Sequence, residues 1–148
     1  MTRSTAREIA VQLAFELEFQ NTDTASFLDE RLSQEHFERL KGESPLYAEK
    51  PSAKQNAYIR SVVEGISAHQ EELDALISRY SVGWNLSRIS SVARAVMRVA
   101  IFECLYVEDV PTGVAIGEAV RILKEYEDED VVGFVNGILG SFAREEQQ

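Results

Sequence analysis

Apolar residues recur along this chain at helical spacing. Ile9, Leu13 and Leu17 come every four residues, which places their side chains on one face of a helix. The same spacing recurs in later segments, and none of them alternates strictly between apolar and polar residues as a half-buried strand would. The pattern therefore predicts an all-α fold of about six to seven helices.

Capping residues and helix breakers predict where the helices begin and end. The segments Thr5-Ala6-Arg7-Glu8 and Ser52-Ala53-Lys54-Gln55 fit the capping-box pattern, although the first helix could begin a turn earlier. Ser90 or Ser91 is predicted to cap a helix that is apolar on more than one face, which favours a central position for it. Residues 24–40 are predicted to form one helix.

One interruption of the apolar pattern is predicted to separate two helical parts. Residues 41–51 contain Gly42, Pro45 and Pro51, and such a composition is typical of a loop. We therefore interpret the chain as one domain, residues 1–148, with its subdomain boundary in this loop or just after the third helix. The predicted subdomains cover residues 3–69 and 70–145.

The net charge of −10 argues against binding nucleic acid through positive charge over the whole surface. The charge is nevertheless segregated. No acidic residue lies between Asp74 and Glu103, yet four arginines do, and the first acid of the chain, Glu8, follows Arg3 and Arg7. RNA binding would thus require a local basic patch, a partner, or both.

Catalytic and metal-binding patterns are missing from the sequence. His36 and His69 lie far apart without a cysteine or histidine at ligand spacing, and Cys104 lies in an apolar helix. There is no phosphate-binding loop and no dinucleotide-binding glycine pattern. We therefore expect neither an enzyme nor a cofactor or metal site. The spacing of Gly113 and Gly117 suggests close helix packing.

The sequence also predicts a cytoplasmic protein. No apolar run approaches the roughly 20 residues that span a bilayer. The N-terminus lacks the apolar core of a signal peptide, and a single cysteine fits a reducing compartment.

Two pairs of arginines are candidate phosphate contacts. Arg3 and Arg7 are four residues apart at the start of the first helix, where a cation opposes the helix dipole, although a merely solvated helix start has the same spacing. For Arg98, an ion pair with Glu103 or Glu118 is favoured over RNA contact. For Arg94, the two roles have equal weight.

The segment Phe134-Val135-Asn136-Gly137 is predicted to open the last helix. If Val135, Ile138 and Leu139 face the core, Phe134 and Asn136 point elsewhere. An aromatic ring and an amide can stack on and hydrogen-bond an unpaired base. A second packing face is an equal alternative.

Several segments, in this order, resemble the NusB family: Arg7 to Gln12, Trp84 to Ile89, Ala95 to Glu103, Asp109-Val110-Pro111, Val114 to Val120 and Phe134 to Leu139. The resemblance covers almost the whole chain and is weakest at residues 19–57. It implies a fold of two perpendicular three-helix bundles. It also implies a transcription antitermination factor that pairs with the ribosomal small-subunit protein NusE, binds boxA RNA of nascent transcripts, notably of ribosomal RNA operons, and nucleates an antitermination complex on RNA polymerase.

The resemblance implies RNA contacts by Arg3, Arg7 and Phe134 and a partner contact by Phe15. Together with the residues considered above, the expected RNA-binding residues are Arg3, Ser4, Arg7, Asp130, Phe134 and Asn136, and the expected partner-binding residues are Phe15, Ala93 and Arg94. The sequence departs from the family pattern at Ser4, Thr5, Ala93, Gly117 and Gly133, and fewer cations should weaken RNA binding by the chain alone. The alternative is a helical protein-interaction module or homodimer that does not bind RNA directly.

Overall fold

The computed structural model describes residues 1–147, and every regular element within them is helical. There are eight α-helices and two short 3-10 turns, which confirms the all-α prediction with a helix count slightly above the predicted range. The chain divides into two compact units, Met1–Ser67 and Ala68–Gln148. None of the helices within the described residues is long and apolar enough to cross a membrane.

The first unit contains α1 (Arg3–Leu17), α2 (Thr24–Arg31), α3 (Gln34–Leu40), a 3-10 turn (Pro45–Tyr47) and α4 (Ala53–Ala68), whose last residue falls in the second unit. α1 begins a turn before the Thr5 pattern, because the Thr2 hydroxyl accepts a hydrogen bond from the Thr5 amide at 3.1 Å. Its apolar face is buried as predicted, with Ile9 and Leu13 almost fully enclosed.

The capping box before α4 is confirmed by both of its hydrogen bonds. The Gln55 amide donates to the Ser52 hydroxyl at 3.2 Å, and the Ser52 amide donates to the Gln55 side-chain oxygen at 3.0 Å. These bonds satisfy backbone donors that a helix start leaves without partners. α4 is thereby fixed at its first turn, and it places Ile59, Val62 and Val63 in the core of the first unit.

Residues 24–40 form two helices, and the prediction of one continuous helix is wrong. α2 ends at Arg31, and Ser33 starts α3 by accepting a hydrogen bond from the His36 amide at 3.2 Å. The Ser33 hydroxyl also donates to the Glu30 carbonyl at 2.7 Å. A serine inside an apolar periodic segment can thus cap a new helix, which the apolar spacing alone does not reveal.

The second unit consists of α5 (Gln70–Tyr80), a 3-10 turn (Leu86–Arg88), α6 (Ser91–Tyr106), α7 (Thr112–Leu123) and α8 (Glu129–Glu146). α6 packs against α5, α7 and α8. Its residues are buried on several faces, which confirms its predicted central position, and Ser90 caps it through the Ala93 amide at 3.1 Å.

Arg98 of α6 forms a two-pronged ion pair with Asp74 of α5. Its Nε donates to Oδ1 at 2.8 Å and its Nη2 donates to Oδ2 at 3.0 Å, while only 5% of the arginine is exposed. The predicted structural role of Arg98 is therefore confirmed. The observed carboxylate belongs to the preceding helix, whereas the sequence suggested Glu103 or Glu118.

α8 begins earlier than predicted. Asp128 caps it by accepting a hydrogen bond from the Val131 amide at 3.1 Å, so Phe134 lies in the helix rather than at its start. Val135, Ile138 and Leu139 are buried, as predicted. The acidic residues Glu129 and Asp130 occupy the first turn of α8, where negative charge complements the helix dipole.

Gly113 and Gly117 of α7 do not mediate close helix packing, and that prediction is wrong. A methyl group added at either position would meet nothing within 4 Å, and both residues are exposed. The main effect of Gly117 on stability is therefore unfavourable, because a glycine loses more backbone entropy than other residues when a helix forms.

Replacing Gly117 with alanine should stabilise the protein. The substitution reduces the entropy of the unfolded chain without a steric cost, so we expect the free energy of unfolding to rise by about 1 kcal/mol in urea titrations followed by circular dichroism. Gly113→Ala is the matched control. It lies in the first turn of α7, and its effect should be smaller. An equal or larger effect of the control would contradict this explanation.

His36 is buried in a charged cluster of the first unit. Burial lowers the pKa of its imidazole, and the cations Arg31 and Arg39 lower it further, while Glu30 and Glu16 oppose them. The Nη2 of Arg39 lies 2.9 Å from Nδ1 of His36, and this contact requires Nδ1 to be unprotonated because the guanidinium can only donate. Burial and the Arg39 contact therefore favour the neutral imidazole in the folded chain, although Glu30 Oε1 lies 3.7 Å from the same nitrogen.

The His36 environment predicts a loss of stability in mild acid. The unfolded chain binds the imidazole proton near pH 6.5, and the folded chain binds it only at lower pH. The unfolded state therefore gains protons first, and the free energy of unfolding should fall as the pH drops below about 6.5. His36→Asn, which keeps a hydrogen-bond acceptor, should show a weaker decline in urea titrations at successive pH values. An unchanged decline would contradict this role for His36.

Candidate functional site

Two aromatic side chains from distant parts of the sequence meet on the second unit. Phe134 of α8 and Trp84 of the α5–α6 connector have ring centroids 5.3 Å apart and ring planes inclined by 56°. Trp84 is 54% exposed, and Phe134 is half-buried. An exposed tryptophan in contact with a second ring is a surface that can stack on a planar ligand.

Charged side chains of both signs lie beside these rings. Arg88 and Asp130 line the same pocket as Trp84 and Phe134, and its volume is about 190 Å³. Both charged residues are exposed, and within residues 1–147 neither side chain forms a hydrogen bond or an ion pair. One cationic donor and one anionic acceptor are therefore available to a ligand.

Arg94 fixes the connector that carries Trp84 and Arg88. Its Nη1 donates to the carbonyls of Leu86 (3.3 Å) and Ile89 (2.5 Å), and its Nη2 lies 3.0 Å from the Ser91 hydroxyl. The planar guanidinium can serve several acceptors at once, which a lysine could not do in this geometry. These three bonds of Arg94 lie within the second unit. Its predicted contact with RNA or a partner stays a prediction.

The N-terminal candidates lie on α1 of the first unit. The Arg3 guanidinium is 4.2 Å from the centroid of the Tyr58 ring and forms no ion pair with a described carboxylate. Ser4 is half-buried. Arg7 is only 4% exposed, so its predicted RNA contact is disfavoured relative to that of Arg3.

The partner candidates differ in accessibility. Phe15 of α1 is half-buried and forms an edge-to-face pair with Phe19 (centroids 5.3 Å apart), and Phe19 is 63% exposed. Ala93 is completely buried. Because a buried side chain has no surface for a partner, the predicted contact through Ala93 is disfavoured, whereas the aromatic pair presents apolar area.

Cys104 is the remaining side chain that the sequence considered for chemistry. Burial raises the pKa of the Cys104 thiol to about 11, so it is protonated and weakly nucleophilic at neutral pH. Within residues 1–147 no group of histidine, cysteine and acidic side chains is arranged to hold a metal ion.

Sequence reasoning placed Phe134 and Asp130 in the site but gave no role to Trp84, Arg88 or Phe19. Trp84 and Phe134 are 50 residues apart in the chain, and their meeting is a tertiary contact without a local signal. A partial signal did exist for Arg88, which lies in the acid-free segment between Asp74 and Glu103. Asn136, also predicted, is exposed on α8.

Comparisons with known proteins agree with one another. A model of the NusB family matches residues 4–144. The transcription antitermination protein NusB of Symbiobacterium thermophilum is 38% identical over 149 residues, covering 97% of this chain and 90% of the relative. The protein of the same name from Bacillus subtilis is 31% identical over 148 residues, covering 100% of this chain and 99% of the relative.

Solved structures give the same result for the fold. NusB of T. maritima matches with a TM-score of 0.80 and 33% identity, covering 98% of this chain and 92% of that one. A chain in a crystal structure described as a plectonemic RNA supercoil matches with a TM-score of 0.75 and 22% identity, covering 96% and 94% of the two chains. The second match bears on the fold alone.

Proposed function

The chain belongs to the NusB family of transcription antitermination proteins, and on this premise we propose that it binds boxA RNA of nascent transcripts together with the ribosomal small-subunit protein NusE. The complex would nucleate antitermination on RNA polymerase, notably on ribosomal RNA operons. The observation that carries the RNA-binding part is the half-buried Phe134, which lies on a helix anchored by buried neighbours and is in contact with the exposed Trp84.

The proposal relies on stacking and base-edge contacts to single-stranded RNA. Unpaired bases can stack on aromatic side chains and offer their edges to hydrogen bonds, whereas the grooves of a duplex need a different surface. Phe134 supplies a ring, and the exposed Asn136 supplies an amide on the same helix. Each base stacked on an aromatic side chain contributes about 1–3 kcal/mol.

The charge of the chain supports a role for a basic partner. With a net charge of −10, the chain repels a polyanion at long range. A basic ribosomal protein would supply cations and extend the RNA-binding surface. The aromatic pair Phe15–Phe19 is the docking surface that we propose for NusE, because it exposes apolar area on α1.

The test is RNA binding with and without purified NusE at two salt concentrations. Fluorescently labelled boxA RNA should bind the chain weakly, and it should bind more tightly when NusE is added. Phe15→Ala should abolish the gain from NusE while leaving weak binding by the chain alone unchanged. If NusE binds and RNA never does, the chain is a protein-interaction module, and the RNA-binding proposal is wrong.

Arg3→Gln should weaken RNA binding and flatten its salt dependence. Each phosphate contact on a single strand contributes about 0.7 to the slope of the logarithm of the binding constant against the logarithm of salt concentration. We therefore expect the slope to shrink by about that amount in fluorescence anisotropy titrations. Lys41→Gln removes the same charge from an exposed site after α3 and should leave the slope unchanged.

Arg7→Ala separates a direct contact from a structural role. If Arg7 touches phosphate, as the sequence predicts, this variant also flattens the slope. Its burial favours a lower free energy of unfolding with an unaltered slope. Equal slopes for wild type, Arg3→Gln and Arg7→Ala would remove the cationic N-terminal helix from the proposal.

Asp130→Asn should tighten RNA binding. Asp130 is exposed beside Phe134, where its carboxylate repels an approaching phosphate backbone, and asparagine removes that charge at nearly the same size. Titration of labelled boxA RNA with NusE present should give a lower dissociation constant for this variant. Asp109→Asn, an exposed change in the α6–α7 turn, is the matched control and should have little effect. Weaker or unchanged boxA binding by Asp130→Asn would argue against an RNA path near α8.

A further inference from the structure

We propose that the pocket beside Trp84 and Phe134 is a selective subsite for one unpaired guanine base. This inference deepens the proposed function and rests on it, since it assumes that single-stranded RNA reaches α8. It assigns binding roles to Trp84 and Arg88, which the sequence left without one.

The size of the pocket suits one small planar group. Its volume of about 190 Å³ is below the range of roughly 300–1,000 Å³ typical of pockets for larger ligands. Ile89 of the connector and Val131 of α8 contribute apolar surface to its lining. A flat heteroaromatic ring gains from such a lining and from aromatic neighbours, because each of its faces is weakly hydrated.

The two rings form one wall rather than a slot. Their centroids are already 5.3 Å apart, so a base cannot enter between them. The inclination of 56° instead lets a base stack on one ring while its edge meets the other, and both geometries are favourable for aromatic groups. A base stacked on Trp84 would cover the apolar surface that this ring exposes.

The charged lining selects among the bases. Arg88 can donate to two acceptors at once, and guanine offers O6 and N7 together on one edge. Asp130 can accept two hydrogen bonds, and guanine offers N1–H and the N2 amino group on another edge. Adenine presents an acceptor at N1, which repels a carboxylate, and uracil and cytosine lack the paired O6 and N7 acceptors. Cytosine offers adjacent acceptors at N3 and O2 to Arg88 but only its N4 amino group to Asp130. Guanine is therefore the base that can form two hydrogen bonds with each side chain.

The absence of bonds between the two charged residues supports a ligand-binding role. Arg88 and Asp130 line one pocket, yet within the described part of the chain they form no ion pair with each other or with another side chain. A phosphate ligand would suit Arg88 alone and be repelled by Asp130. A group with donors and acceptors on different edges suits both.

Trp84 is the only tryptophan of the chain, so its fluorescence reports on this pocket directly. The probes are short oligouridylates that carry guanine, adenine, cytosine or uracil at the central position, titrated against the full chain. We expect the guanine oligomer to quench Trp84 and to bind about tenfold more tightly than the other three.

Variants test each contact with labelled forms of the same oligomers. Arg88→Gln and Asp130→Asn should both reduce the ratio of guanine to adenine affinity, even if Asp130→Asn raises affinity for every oligomer by removing repulsion. Trp84→Ala should weaken all four complexes, and Trp84→Phe should restore them in part. Arg121→Gln removes an exposed arginine of α7 and should leave the ratio unchanged. Thermal unfolding checks that each variant folds.

The outcomes separate this inference from the proposed function. If labelled boxA RNA binds in the presence of NusE and no oligomer alters Trp84 fluorescence, the subsite is wrong and the proposed function stands. Equal quenching by all four oligomers overturns guanine selectivity. Selective quenching by guanine without boxA binding supports the subsite and overturns the boxA proposal. If NusE alone changes the Trp84 signal and blocks the oligomers, the pocket is a protein-docking site, and the inference is overturned.

Discussion

The candidate site depends on one guanidinium, that of Arg94. The connector between α5 and α6 contains a single 3-10 turn, Leu86–Arg88, which few backbone hydrogen bonds hold by themselves. From the first turn of α6, Arg94 donates to the carbonyl of Leu86 within this turn and to that of Ile89 just after it, so the connector is attached to the central helix of the second unit. This attachment restrains the backbone on either side of Arg88, and it favours the contact of Trp84 with Phe134 of α8. The positions of the residues in the candidate site are therefore set by their attachment to the helical core.

In an acidic chain, cations that lack a carboxylate partner are the ones best able to attract RNA. Several arginines form ion pairs with carboxylates of their own unit, and the pair of Arg98 with Asp74 is the most buried example. Arg3 and Arg88 differ, because neither forms an ion pair with a described carboxylate. Arg3 lies on an aromatic ring, and Arg88 lies beside two of them. A cation without a carboxylate partner keeps its full attraction for phosphate or a base edge, so a few such cations can act locally although the overall field is repulsive. A long stretch of RNA still has to be neutralised, which is why a basic partner is part of the proposed function.

The sequence predicted local structure better than tertiary contacts. Apolar spacing and capping residues gave the helical class, the capping box at Ser52 and the central position of α6, because each of these depends on neighbours within a few residues. The spacing missed the break at Ser33, since a serine can face solvent in a helix or cap a new one with the same neighbours. Nor could it supply the meeting of Trp84 with Phe134 or of Arg98 with Asp74, which are set by how helices pack. The family resemblance covered Trp84 and Arg88 without giving them a role, and it marked Arg7 although that side chain is buried.

A carboxylate in an RNA-binding surface has a physical purpose if selectivity matters more than affinity. Asp130 raises the free energy of every RNA complex through repulsion of the backbone, and the cost is similar for all sequences. The same carboxylate offsets part of this repulsion only when a base offers it hydrogen-bond donors. It therefore enlarges the difference in binding free energy between such a base and the other bases. Such a site binds poorly by itself and depends on additional cations for useful affinity. An anionic chain with a few free arginines, a basic partner and an acidic residue beside its aromatic wall would bind RNA weakly when alone and selectively in the complex.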